Sequence, residues 1–117
     1  MEYISAEEFL KQDEKVQRTL KEYFDQEIIL YSFNNSVNYG VFDDVIDETP
    51  LLTEGQLRRY IEDKTRCRMS TVFYTLTGYD IVIYNEDKII NTYLHLGDNL
   101  LRAYWEIVCD ISRRATK

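Results

Sequence analysis

The chain has 117 residues, 44% hydrophobic and 30% charged, with a formal net charge of −7. Its length suits one domain spanning residues 1–117 with its own core, and its composition is that of a globular protein. The negative balance argues against free nucleic acid and membrane surfaces, both anionic, and favours a partner with a basic surface.

The opening "MEYISAEEFL" carries three acids and no basic n-region, so it does not read as a secretory leader. Ser5 and Glu8 have the spacing of a capping box, and Ile4 and Phe9 that of a hydrophobic staple around it. Apolar residues then recur at Phe9, Leu10, Val16, Leu20, Tyr23 and Phe24, a helical stripe. Asp13 offers a second cap, which would break this segment into two short helices. "EIILYSF" and "VNYGVF" follow as β-rich runs around "NNS", and Asn tolerates the left-handed geometry of a hairpin turn. The acidic "DDVIDET" leads to Pro50 and to a doubly marked helix start. There Thr53 and Gln56 form a capping box, with Leu52 and Leu57 as its staple.

A helix over residues 53–65 is therefore predicted, then "STVFYTL", a turn at residues 77–78, "YDIVIY", a turn at 85–87 and "KIINTYLHL". Short turns between three strands indicate an antiparallel meander. The last element, "GDNLLRAYWEIVCDISRR", takes Asp98 as N-cap and carries apolar residues at Leu101, Tyr104, Trp105, Val108 and Ile111. Arg113 and Arg114 fall in its last turn, where they complement the helix dipole. The predicted order is α-β-β-α-β-β-β-α: an α+β fold with helices packed on a mostly antiparallel sheet.

Catalytic and metal signatures are weak. Gly40, Gly55, Gly78 and Gly97 are isolated, so no phosphate-cradling loop is present. His95 is the single histidine and is expected on a strand. Cys67, His95 and Cys109 lack zinc-ligand spacing, and the thiols read as reduced and cytoplasmic, Cys109 beside the apolar stripe of its helix. No apolar run approaches the ~20 residues that span a bilayer. No catalytic residue, metal ligand or cofactor is assigned.

The charge is uneven. Residues 1–54 hold 13 acids and 4 bases, net −9, and residues 55–117 hold 8 acids and 10 bases, net +2. Asp43, Asp44, Asp47 and Glu48 form the densest cluster and are the candidate partner-binding residues. Three readings stand: a solvated loop, a row of carboxylates that engages Arg and Lys of a partner in place of phosphates, and a calcium loop. "DDVIDE" lacks the glycine and ligand alternation of an EF-hand. Repulsion within the cluster should cost stability unless a partner uses it, so Lys at all four positions is expected to leave the fold intact or firmer. Arg58, Arg59, Lys64, Arg66 and Arg68 are the basic counterpart, most economically paired with the chain's own acids. The ten tyrosines are either half-buried core or an interface.

"LLTEGQLRRYIEDKT" and "LGDNLLRAYWEIVCDIS" resemble segments of small phage and prophage proteins of unknown function from low-GC Gram-positive bacteria. The resemblance covers mainly residues 50–65 and 94–112 and carries over no catalytic residue. It implies a cytoplasmic accessory protein in an infected or lysogenic cell, which acts on host machinery, as inhibitors of CRISPR effectors and restriction enzymes do. The reading that follows is a non-enzymatic binder of a host defence nuclease or other host protein through an acidic surface. The alternative is a phage housekeeping or assembly protein that works through protein contacts, including with itself.

Overall fold

The computed structural model describes residues 2–115. The fold is α+β, and it divides into two compact units. One holds the chain up to Thr53 and the residues from Ser112 on; the other is Glu54–Ile111.

In the first unit the initial helical segment is two helices, α1 (Ala6–Leu10) and α2 (Glu14–Phe24). Ser5 Oγ accepts from Glu8 N at 3.1 Å and Asp13 Oδ1 accepts from Val16 N at 3.1 Å, so each helix has its own side-chain cap. Ile4 and Phe9 are both buried, as a staple requires. Val16, Leu20 and Phe24, four residues apart on α2, are fully buried and form its inner stripe. Asp13 also receives Arg113 Nε at 3.4 Å, an exposed contact between residues a hundred positions apart.

β1 (Ile28–Phe33) and β2 (Ser36–Val41) form the expected hairpin. Asn34 and Asn35 sit at φ 53° and 62°, and positive φ at both central residues is the hairpin turn whose twist matches its strands. The sheet acquires a third strand absent from the sequence reading, β3 (Thr49–Pro50), antiparallel to β1. Proline lacks a backbone donor and is tolerated on such an edge. The sheet order is β2-β1-β3.

The second unit begins with α3 (Glu54–Thr65), starting where the doubly marked signal placed it, and buries Leu57, Tyr60 and Ile61. β4 (Arg68–Tyr74), β5 (Gly78–Asn85) and β6 (Lys88–Tyr93) form the predicted meander in that order. The expected single sheet is thus two three-stranded antiparallel sheets. α4 (Leu100–Arg114) starts one residue later than Asp98 would set it. Asn99 is the cap, its Oδ1 accepting from Arg102 N at 3.0 Å. Leu101, Tyr104, Trp105 and Val108 are buried, and Tyr93 Oη donates to Asp110 Oδ2 at 2.7 Å, tying β6 to α4. No helix among the described residues is long and apolar enough to cross a membrane.

Two outcomes test this core. Trp105→Ala should lose roughly 3–5 kcal/mol in denaturant unfolding, as a large-to-small change at a buried site. Gly78 has φ +89°, and a Cβ there would collide with the backbone of Gly97, its bridge partner. Gly78→Ala should therefore cost more than about 1 kcal/mol. A wild-type melting curve for either variant would show that residue to be misplaced.

Candidate functional site

The acidic segment is the loop that follows β2, and its carboxylates have separate jobs. Glu48 is buried, and its Oε1 accepts from Asp43 N at 3.1 Å across the loop. Asp43 Oδ1 accepts from Val45 N at 2.9 Å, an Asx-type turn that shapes the next residues. Asp44 N donates to Asp25 Oδ1 at 3.0 Å, pinning the loop to the residue that ends α2. Asp47 alone of the four is exposed.

The structure therefore does not offer four equivalent carboxylates. Lys at position 48 would lose the bond to Asp43 N and bury an ammonium, so the expectation that four lysines leave the fold intact or firmer is corrected. Sequence reasoning also missed Asp25, nineteen residues from Asp44 and joined to the cluster only by the fold. No spacing rule would have found it.

Asp25, Asp43 and Asp44 each bring a carboxylate oxygen within 4.8 Å of the others. Partial burial, then the adjacent Asp25 charge, push the Asp44 carboxyl above its ordinary pKa, with Asp43 and Glu22 adding to the effect. Asp25 is held below its ordinary value, chiefly by the N–H of Asp44. Three carboxylates could contact a cation, but Asp25 Oδ1 already accepts from Asp44 N and from Gln26 Nε2. Calcium takes six to eight oxygens, more than these three residues readily give. An ammonium or guanidinium from a partner makes smaller demands on geometry. Beside Asp44 lies an open groove lined by Glu14, Gln17, Arg18, Lys21 and Glu22, so the surroundings on α2 are of mixed charge.

The loop grows from an uncharged hairpin. The fifteen residues from Ile28 to Phe42 contain no Asp, Glu, Lys or Arg, in a chain that is 30% charged. One face of this hairpin carries Ile28, Val37, Tyr39 and Val41, all exposed, with Tyr39 at 74%. The opposite face holds Ile29, which is buried. The charge-free run was the legible signal for this surface.

His95, Cys67, Cys109 and Arg58 all belong to the second unit. His95 lies beyond β6, in a loop rather than on a strand, at φ 59°, where its N–H donates to Asp80 Oδ1 at 3.0 Å. Cys109 is buried, and Cys67 is half-buried with its Sγ donating to Thr65 O at 3.1 Å. A groove of about 520 Å³ in the second unit is lined by Arg66, Cys67, Arg68, Tyr84, Asn85 and Glu86, without His95. Arg58 pairs with Glu62 at 3.3 Å on the same helix. Among the tyrosines, Tyr60 and Tyr104 are core, while Tyr39 and Tyr74 are exposed. The chain matches no protein-family model, no curated protein and no solved structure.

The pH dependence of the cluster has a definite sign. Asp44, raised in the fold, contributes stability below the ordinary carboxylate range and loses it as pH rises through its folded pKa. Asp25, lowered in the fold, contributes above that range and loses it as pH falls. Asp44→Asn should therefore melt above wild type at pH 7, and the difference should close below about pH 4. Asp25→Asn should melt below wild type at pH 7. Melting scans across this range check both signs.

Proposed function

We propose that this is a non-catalytic phage or prophage protein that binds a host protein carrying a basic surface, such as the nucleic-acid channel of a defence nuclease. The carrying observation is the Asp25–Asp43–Asp44 cluster, whose carboxylates crowd within 4.8 Å while Asp44 is held above its ordinary pKa. A cationic side chain placed among them would relieve that repulsion, and the exposed Asp47 would extend the contact. The net charge of −9 over residues 1–54 would steer a basic partner toward this end of the chain. Glu48 and Asp43 shape the loop, and Asp44 and Asp47 face the partner.

The test is an Asp44→Lys/Asp47→Lys variant that leaves Glu48 and Asp43 in place. Wild type immobilised in lysate of a Gram-positive host should retain a basic protein, less of it as salt rises, with duplex DNA competing. The variant should melt at or above the wild-type temperature at pH 7 and retain at least tenfold less. Equal capture by both proteins, with the same salt dependence, would overturn the acidic reading.

A second reading, assembly through protein contacts including with itself, is favoured by one different observation. The outer face of the β1–β2 hairpin is apolar and exposed at Ile28, Val37, Tyr39 and Val41.

A further inference from the structure

β2 is an edge strand of the β2-β1-β3 sheet. Its inner side is fixed by two bonds at its end: Phe42 N donates to Glu27 O at 2.8 Å, and Gln26 N donates to Phe42 O at 2.7 Å. Backbone direction alternates along an antiparallel ladder, so Gly40 and Asn38 also face β1. The N–H and C=O groups of Val37, Tyr39 and Val41 therefore point away from the sheet. Among the described residues no strand lies beyond them. Natural edges are blunted by charged side chains, proline or bulges. β2 has no charged residue and no proline, and it pairs with β1 without a bulge from Ser36 to Val41.

The three residues with outward backbone groups read Val-x-Tyr-x-Val, a palindrome centred on Tyr39. A two-fold interface needs a self-complementary surface, and this strand supplies one. We propose that β2 pairs antiparallel with β2 of a second copy, Tyr39 facing Tyr39, and Val37 and Val41 facing each other's counterparts. All three positions in this register are hydrogen-bonded pairs, and the two sheets become one of six strands.

Charge selects this occupant and this direction. The acids begin immediately after β2, at Asp43. In the antiparallel register they come beside the other copy's Asn34–Asn35 turn, which is uncharged, rather than beside its acids. The two Asp43 residues then stand about 27 Å apart along the strands, taking about 3.4 Å per residue. That exceeds the ~8 Å screening length at physiological salt. A parallel pairing would bring the acidic loops together. The contact is one short strand and falls below the ~1,000 Å² of a stable interface, so the dimer is weak and depends on concentration. The inference is independent of what the acidic loop binds.

Light scattering behind size-exclusion chromatography should show the wild-type mass rising from 14.0 kDa toward twice that value between micromolar and millimolar concentration. Tyr39→Lys alters an exposed side chain and should melt like wild type while staying at the monomer mass throughout. The register is read by cross-linking in a Cys67→Ser background, with Cys109 buried. A mixture of Val37→Cys and Val41→Cys proteins should be joined by a short bismaleimide, because those residues face each other at about 5.5 Å. Val37→Cys alone should not, since the two copies of residue 37 lie about 14 Å apart along the strands. A monomer mass at every concentration would overturn the proposal. So would a dimer that survives Tyr39→Lys, or cross-linking of Val37→Cys alone that matches the mixture.

Discussion

The register of the β1–β2 hairpin is the constraint on which the first unit depends. Asn34 and Asn35, both at positive φ, close a two-residue turn that pairs Phe33 with Ser36 and so fixes every later pair up to Ile28 with Val41. Side chains alternate between faces, so a slip of one residue would exchange buried Ile29 for exposed Ile28. The same register leaves Leu30 O free to accept from Leu51 N, the bond that continues β3 along β1. It also ends β2 where Phe42, fully buried, hands the chain to the acidic loop.

Beyond that point the loop is organised by carboxylates that accept backbone N–H groups. Glu48 reaches back to Asp43 N, Asp43 to Val45 N, and Asp25 from the end of α2 to Asp44 N. These bonds hold like charges close together. The consequence is divided electrostatics: Asp25 gains from its donor, while Asp44, in the same contact, is left with charge that neighbouring acids oppose. A cation placed beside Asp44 would lessen this conflict and an anion would increase it.

The hairpin and the loop therefore give one end of the β2 strand two chemistries side by side. The strand is uncharged and open along its backbone, and the loop that follows is crowded with negative charge. The second unit differs: its exposed apolar residues include Val72, Phe73, Leu76 and Ile89 on the meander, and its residues 54–111 hold 9 acids and 7 bases, a nearly balanced net −2.

Local signals were legible wherever one residue's own chemistry settles the matter. Ser5, Asp13, the Asn34–Asn35 turn and the start of α3 could be read because caps and turns depend on neighbours within a few positions. The stripe through Leu101, Tyr104, Trp105 and Val108 could be read because a helix repeats. Asp and Asn cap equally well, so the sequence points to Asp98, whereas in the fold it is Asn99 that accepts the N–H of Arg102. The site was legible only as a cluster of acids. That Glu48 is buried, that Asp25 joins from nineteen residues away, and that β3 completes a sheet were decided by the tertiary structure. The physical reason is range. Composition, caps and periodicity are properties of adjacent residues, whereas burial and the meeting of distant carboxylates exist only once the chain has closed on itself.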